Sequence, residues 1–186
     1  MKEISFSGRG GQGVVIASQM LGYAFFKDGK YPQCYSVFGG ERRGAPLASF
    51  LRVDDQKILL KCEIKRPGEI ICFDDSLVNP DTIKAQLKPG GYILINTRRG
   101  ADAFAELSGY RLGLVDGMAI AREAGIAPFF NTIMVGAYAG FAGDIEPASI
   151  EAAILEMAPT KPEVNANAAR LAYNRVTKIE PGGAHV

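Results

Sequence analysis

The segment Gly8-Arg9-Gly10-Gly11-Gln12-Gly13 contains the residue types that most directly suggest chemistry. It follows a strand-like segment, residues 4–6, and precedes an apolar segment with helical spacing, residues 14–26. Glycines at such a position let the backbone approach an anion while the first N–H groups of the helix point outward. Arg9 and Gln12 add side-chain donors that packing alone does not require. The segment therefore predicts a phosphate-sized binding loop.

The same glycines also match the dinucleotide-binding fingerprint G-x-G-x-x-G, at Gly8, Gly10 and Gly13. In such a site an Asp or Glu about twenty residues further on binds the ribose. In this chain Gln33-Cys34-Tyr35 occupies that region. A stand-alone nicotinamide or flavin enzyme is therefore the less favoured alternative. A glycine set that serves only close packing of a helix on a sheet also stays open.

A second loop combines glycines with charge: Phe38-Gly39-Gly40-Glu41-Arg42-Arg43-Gly44-Ala45-Pro46. Adjacent side chains on extended backbone point to opposite faces, so Arg42 and Arg43 can serve different partners. One of them can pair with Glu41, and the other can bind a substrate or cofactor phosphate. A solvated charged turn is the alternative, because exposed ion pairs add little stability.

The apolar periodicity predicts one α/β domain over residues 1–180, with a tail at 181–186. We expect three layers, α/β/α, around a Rossmann-like sheet that is mostly parallel but mixed. The predicted strands are residues 4–6, 31–37, 45–53, 58–62, 69–73 and 92–95, with 58–62 pairing back on 45–53 as a hairpin. The predicted helices are residues 14–26 and 80–87 and, in a mainly helical second half, 101–107, 117–124, 130–140, 148–156 and 164–178.

Composition narrows the classes of function. The 186 residues, of which 47% are hydrophobic, are enough for one sizeable core. The 21 basic residues nearly balance the 20 acidic ones, which argues against nucleic acid or an anionic membrane as the main partner. We find no signal segment and no membrane span, and the few cysteines suit a reducing compartment, so a cytoplasmic protein is expected.

The cysteines and the histidine give no pattern for catalysis or for a metal. Cys34, Cys62 and Cys72 are an odd number at wide spacing without a CxxC pair. His185, in the tail, is the single histidine, so a histidine-based triad or metal site is not expected. No residue is therefore predicted to be catalytic or to ligate a metal.

Two further polar pairs stand at the ends of predicted elements. Asp74 and Asp75 follow a central strand, where open sheets bind ligands, although a helix N-cap at Asp75 or Ser76 explains them equally well. Asn131 and Thr132 precede a helix rich in small residues, and Thr132 is first a capping candidate. The small residues of that helix permit close approach of another element, in this core or across an interface.

Together the two glycine loops closely resemble the gamma subunit of pyruvate- and ketoisovalerate-type 2-oxoacid:ferredoxin oxidoreductases, equivalent to domain III of pyruvate:ferredoxin oxidoreductase. The resemblance continues downstream, and so covers most of the chain, in Phe73-Asp74-Asp75-Ser76-Leu77, Asn131-Thr132-Ile133-Met134-Val135-Gly136-Ala137 and Lys161-Pro162-Glu163-Val164-Asn165-Ala166-Asn167. The sequence departs from the commonest pattern at Gly40, where a proline usually precedes the Glu-Arg segment. The form Glu-Arg-Arg-Gly-Ala-Pro is closer to the pyruvate, ketoisovalerate and aryl-oxoacid groups than to oxoglutarate relatives, and the 2-oxoacid stays open.

This resemblance implies a multisubunit enzyme that oxidatively decarboxylates a 2-oxoacid, transfers the acyl group to coenzyme A and passes electrons to ferredoxin or another acceptor. Subunits of the alpha, beta and delta types would carry thiamine diphosphate, magnesium and [4Fe–4S] clusters. This chain would hold none of these alone, and would help to form the coenzyme A site and the subunit interfaces. A purely structural subunit is the alternative, if its arginines are all used in ion pairs between subunits. The residues assigned to cofactor binding are Gly8, Arg9, Gly10, Gly11, Gln12, Gly13, Glu41, Arg42, Arg43, Asn131 and Thr132.

Overall fold

A mixed sheet lies between two layers of helices in the computed structural model, which describes residues 1–38 and 44–182, and only the backbone of Phe38. The strands are β1 (Lys2–Arg9), β2 (Tyr31–Phe38), β3 (Pro46–Asp54), β4 (Glu69–Cys72), β5 (Tyr92–Asn96), β6 (Arg111–Val115) and β7 (Thr177–Ile179). The α-helices are α1 (Val14–Lys27), α2 (Pro80–Gln86), α3 (Gly117–Glu123), α4 (Asn131–Ala142), α5 (Pro147–Met157) and α6 (Pro162–Arg175), and 3₁₀ turns lie at Asp75–Leu77 and Ala101–Leu107. Within this described part of the chain, every helix falls short of the length and apolar character that crossing a bilayer requires.

The strand order of the sheet is β2-β3-β1-β4-β5-β6-β7. Strands β1, β4, β5 and β6 run parallel to one another, whereas β2, β3 and β7 pair antiparallel with their neighbours. All four residues of β4 are buried, as expected for a central strand covered on both faces. The predicted mixed sheet is therefore confirmed, with its parallel strands in the middle.

Side chains on the two faces of the sheet belong to two separate apolar clusters. The larger cluster joins strand residues such as Phe6 and Leu94 to helices α1, α3, α4, α5 and α6. The smaller one joins Ile93 and Ile95 to α2 and to the 3₁₀ turn Ala101–Leu107. Alternate residues of one strand thus face opposite layers, which confirms the predicted three-layer α/β class.

One predicted strand is wrong. Residues 58–62 form no strand and run irregularly over one face of the sheet, while the hairpin partner of β3 is β2. Leu59 is 79% exposed, so the apolar run that suggested a strand is not buried on either side.

Two strands were missed. The short β6 includes Gly113, which has no side chain to give it a strand-like pattern, and β7 lies inside the segment predicted as the end of the last helix. Helix α6 instead ends at Arg175, and the β-branched residues that follow pair with β6.

Helices α4 and α6 pack with their backbones in direct contact. A Cβ atom added at Gly136 would lie 2.1 Å from the carbonyl oxygen of Ala169, and one at Gly140 would lie 2.2 Å from that of Tyr173. Real Cβ atoms never approach so closely. The predicted close approach at these small residues is confirmed, and it occurs within this chain.

Replacing Gly136 with alanine should lower the free energy of unfolding by about 1 to 3 kcal/mol or more, because the added methyl group forces α4 and α6 apart. The matched control is Gly109→Ala, since a Cβ there meets no atom within 4 Å. Urea denaturation of both variants measures the difference. Equal midpoints for the two variants would show that the helix contact is more compliant than the structure indicates.

Candidate functional site

The glycine-rich loop between β1 and α1 needs glycine for packing at its first and last positions. A Cβ at Gly8 would lie 2.6 Å from Cγ2 of Val14. Gly13 has a φ of 76°, and a Cβ there would lie 2.9 Å from Cβ of Asn131. Close packing is therefore part of what these glycines do, and it brings the start of α1 against the start of α4.

Hydrogen bonds inside the loop fix its shape. The backbone N–H of Arg9 donates to Oε1 of Gln12 at 2.7 Å, and the N–H of Gln12 donates to the carbonyl of Arg9 at 3.1 Å. The N–H of Gly10 donates to the carbonyl of Ala45 at 2.9 Å, and the N–H of Gly44 donates to the carbonyl of Gly10 at 3.1 Å. The chain that leaves residues 39–43 is thus anchored on the glycine-rich loop.

The guanidinium of Arg9 is turned toward the end of β4. Its Nε donates to Oδ2 of Asp74 at 2.8 Å and its Nη2 donates to Oγ of Ser76 at 3.0 Å. Partial burial alone would raise the pKa of Asp74, but hydrogen bonds from Ser76 and the pair with Arg9 together lower that pKa. Asp74 therefore stays ionised and neutralises much of the charge of Arg9. Asp74 is also the N-cap of the 3₁₀ turn, so the predicted cap at Asp75 or Ser76 is wrong by one residue or more.

Three helices begin at the edge of one cavity of about 490 Å³. Gly11–Gly13 at the start of α1, Asn131 and Thr132 at the start of α4, and Thr160 and Lys161 at the start of α6 all line it. None of these three helices has a side-chain cap. Because the first N–H groups of a helix lack partners within the helix and carry a partial positive charge, the cavity collects three positive helix ends.

The walls of this cavity are mostly apolar. Met20 and Ile126 are buried in its floor, and Ile16 and Phe129 stand at its rim with 43% and 64% of their surfaces exposed. Lys161 adds a full positive charge, and the described lining residues include no Asp or Glu. The cavity therefore suits a ligand that carries both an anionic group and an extended, largely uncharged part.

A buried asparagine holds two of the three helix starts together. Asn165 accepts a hydrogen bond from Oγ1 of Thr132 at 2.8 Å and donates through Nδ2 to the carbonyls of Thr160 and Lys161 at 2.9 and 3.1 Å. Lys161 has a φ of 47°, a conformation that side-chain-bearing residues rarely adopt. We call the three hydrogen bonds of Asn165 to Thr132, Thr160 and Lys161 the Asn165 clamp, and they hold Lys161 at the cavity. The hydroxyl of Thr132 is thus a bridge and not a helix cap, contrary to the capping prediction.

A second cavity, of about 600 Å³, lies on the other side of Gln12, at the carboxyl ends of β4, β5 and β6. Asp74, Asp75 and Asp116 line it together with Arg98 and Arg99. Asp75 accepts hydrogen bonds from Oγ1 of Thr97 and from Nε of Arg99. Of the two arginines that line this cavity, Arg99 is therefore already paired with a carboxylate. The acidic lining makes this cavity less suited to a phosphate than the first.

The structure brings together some of the residues assigned to cofactor binding and separates others. Those that line the first cavity are Gly11, Gln12, Gly13, Asn131 and Thr132. Gly8 and Gly10 shape the loop without lining it, Arg9 faces Asp74, and Glu41, Arg42 and Arg43 lie outside the described residues. Lys161 and Asn165 were missed as site residues. A lysine before a helix-starting proline was a visible signal for the first, whereas Asn165 is one of several polar residues of α6 and had no local signal. Across the described ranges, no three His, Cys, Asp or Glu side chains gather as metal ligands would.

Comparison with known proteins identifies the family. The family model of pyruvate ferredoxin/flavodoxin oxidoreductase matches residues 3–175. The chain belongs to this family. The resemblance inferred from the two glycine loops is thereby confirmed.

Two curated relatives of this oxidoreductase family align over nearly their full length. Pyruvate synthase subunit PorC of Methanocaldococcus jannaschii is 43% identical over 96% of this chain and 98% of its own. The pyruvate/ketoisovalerate oxidoreductases common subunit gamma of Thermococcus kodakarensis is 40% identical over 97% of this chain and all of its own. Both names describe a subunit of a larger oxidoreductase.

Solved structures agree on the fold. The pyruvate oxidoreductase subunit PORC of Thermotoga maritima superposes with a TM-score of 0.83 at 30% identity, covering 96% of this chain and 98% of its own. The 2-oxoglutarate:ferredoxin oxidoreductase of Magnetococcus marinus, solved with 2-oxoglutarate, coenzyme A and succinyl-CoA bound, has a TM-score of 0.72 at 18% identity. It covers 97% of this chain and 32% of its own, so the fold occurs there as part of a longer polypeptide.

Replacing Thr132 with valine should destabilise the protein by about 1 to 3 kcal/mol, because Oδ1 of the buried Asn165 loses its donor. The same substitution at Thr177, which is exposed, is the control and should change stability little. Thermal unfolding of both variants tests this, and a Thr132→Val variant as stable as Thr177→Val would show that the clamp adds nothing.

Proposed function

We propose that this chain is the gamma subunit of a 2-oxoacid:ferredoxin oxidoreductase and that it binds coenzyme A in the cavity at the starts of α1, α4 and α6. The observation that carries the proposal is the convergence of three uncapped helix N-termini and Lys161 on one cavity without acidic lining. The full-length match to relatives named as subunits of pyruvate and ketoisovalerate oxidoreductases supports the same function.

Coenzyme A matches the chemistry of the cavity in two parts. Its phosphates are anions that helix N–H groups and a lysine bind well. Its pantetheine arm is long and largely uncharged, with amide groups that Gln12 and Asn131 can hydrogen-bond and methyl groups that Ile126 and Phe129 can contact. A cavity of about 490 Å³ that is open at the rim accommodates part of such a ligand and leaves the rest to other surfaces.

The remaining chemistry belongs to other subunits in this proposal. Thiamine diphosphate with magnesium supplies decarboxylation, and [4Fe–4S] clusters conduct the electrons to ferredoxin, on subunits of the alpha, beta and delta types. This chain contributes by holding the thiol carrier in place at the assembled site and by excluding water around it. The relatives' names favour pyruvate or ketoisovalerate as the 2-oxoacid.

The ion pair between Arg9 and Asp74 favours a structural role for Arg9, which was predicted to bind the cofactor. Because Arg9 is held by a carboxylate of its own chain, it stabilises the loop and is only partly available to a phosphate. In this proposal the cations that meet coenzyme A are Lys161 and Arg42 or Arg43. The purely structural alternative would require that none of these three residues affects the ligand.

The sheet order disfavours the dinucleotide alternative. In a dinucleotide-binding fold, the strand that follows the first helix lies beside β1, runs parallel to it and carries the ribose-binding acid at its end. Here the strand that follows α1 is β2, and the antiparallel β3 separates it from β1. The strand that would carry the acid is therefore displaced from the glycine loop by one strand.

Replacing Lys161 with glutamine in the assembled enzyme should raise the KM for coenzyme A about 10- to 150-fold, because a charge-assisted contact is worth about 1.5 to 3 kcal/mol. The KM for the 2-oxoacid should not change. Lys84→Gln is the matched control, since Lys84 is exposed on α2 in the opposite layer. Steady-state kinetics with coenzyme A as the varied substrate measures the effect.

A double charge reversal, Arg42→Glu with Arg43→Glu, extends the test to the loop outside the described residues. We expect a higher KM for coenzyme A or impaired assembly of the complex. Unchanged coenzyme A kinetics in both this variant and Lys161→Gln, with normal assembly, would overturn the proposed site and favour a purely structural subunit.

A further inference from the structure

Strand β2 is the edge of the described sheet, and Pro32 near its start is followed by a stretch without charged residues. Its eight residues carry no charge, and Tyr31 and Val37 on one face are 50% and 49% exposed. Natural edge strands are normally blunted by charges or covered by another element, because their free backbone groups pair readily with other chains. An uncharged edge with exposed apolar side chains indicates that something covers it.

The irregular segment 57–66 lies on the same face of β2. Gln33 donates through Nε2 to the carbonyl of Leu60 at 2.9 Å, and the hydroxyl of Tyr35 accepts the N–H of Ile64 at 2.6 Å. Tyr31, Gln33, Tyr35 and Val37 are every second residue of β2, so all four side chains point to the same side of the sheet.

This anchored segment presents apolar side chains to solvent. Leu59 and Leu60 are 79% and 45% exposed, whereas Ile64 is buried beneath them and fixes the segment to the sheet. Tyr31 and Val37, near the two ends of β2, add further exposed apolar side chains on the same face of the sheet. We call Tyr31, Val37 and residues 57–66 the basic edge surface.

The charge of this surface is strongly positive. Lys57, Lys61, Lys65 and Arg66 against Glu63 leave a net charge of +3 on ten residues, whereas the whole chain has a net charge of +1. All four cations are exposed. Among the salt bridges of the described residues, none involves any of these four. The surface therefore offers exposed leucines surrounded by cations that carboxylates of a partner can pair with.

We propose that the basic edge surface docks an acidic, partly apolar face of another subunit of the same enzyme. The inference rests on the proposed function as a subunit of an assembly. A second copy of this chain is a poorer occupant, because a two-fold dimer through this surface sets its own positive charge against itself. The surface lies on the face of the sheet opposite α1, so docking there leaves the coenzyme A cavity open to its ligand.

The test is reconstitution of the complete complex with a tagged copy of this chain. Lys57→Glu with Lys61→Glu should reduce recovery of the other subunits at least tenfold, and Leu59→Ser with Leu60→Ser should do the same. Lys84→Glu is the matched charge reversal on α2 and should assemble normally. All variants should keep the thermal stability of the parent chain, because the altered residues are exposed.

Alkylation of Cys62 gives a readout that needs no substitution. Cys62 and Cys34 are exposed and Cys72 is buried, so the labelling is followed at each cysteine separately by peptide mass spectrometry. The Sγ of Cys34 donates to the carbonyl of Ser18 on α1, and burial of this thiol raises the pKa of Cys34 to about 11, which slows its reaction with iodoacetamide because the thiolate is the nucleophile. We expect Cys62 to react at least fivefold more slowly in the assembled complex than in the isolated chain.

The outcomes separate this inference from the proposed function. Normal assembly of both double variants, or equal reactivity of Cys62 in the free and assembled chain, would overturn the docking surface. An isolated chain that forms dimers dispersed by the leucine variants would assign the surface to a second copy, and would also overturn it. An unchanged KM for coenzyme A in Lys161→Gln, with assembly sensitive to the docking variants, would instead contradict only the proposed coenzyme A site.

Discussion

The backbone contact between α4 and α6 determines where the functional part of the molecule can form. Gly136 and Gly140 let the two helices touch without intervening side chains, and this closeness allows Asn165 on α6 to reach Thr132 on α4. Gly13 then brings the start of α1 against Asn131. Each of these approaches depends on a missing Cβ atom, so the cavity exists only because three glycines let the helix ends meet.

Bringing three helix N-termini together has an electrostatic cost in the absence of a ligand. The partial positive charges at the helix starts repel one another, and Lys161 adds a full charge to the same space. Water screens this repulsion in the free protein, and an anion would replace it with attraction. The rigid clamp of Asn165 on Thr160 and Lys161 keeps the helix ends from relaxing apart. The site is thus prepared for a negative group before that group arrives.

Local patterns in the sequence were sufficient for part of this structure. The glycine loop, α1 and the buried strands β4 and β5 follow from short-range periodicity and turn residues, and the structure has them within a few residues of the prediction. The strand at 58–62 was wrong because apolar residues such as Leu59 need not be buried. Strand β7 was missed because its pairing with β6 joins residues more than sixty positions apart.

The candidate site was predictable only in pieces. Gln12 and Asn131 were identified from their neighbours in sequence, but nothing local indicates that residues 12, 131 and 161 meet. Arg9 was expected to face a ligand, and its engagement by Asp74 depends on how β1 and β4 align. Such tertiary contacts decide which polar residues stay available, and they have no signature in a window of ten residues.

Lys161 combines an unfavourable backbone with a useful charge. It has a left-handed φ of 47° although it is not glycine, and it precedes Pro162, which itself disfavours helical conformations at the preceding residue. A glycine would adopt that left-handed conformation with less strain, and would carry no charge into the cavity. If the cavity binds an anion as proposed, folding and ligand binding place opposite demands on this residue.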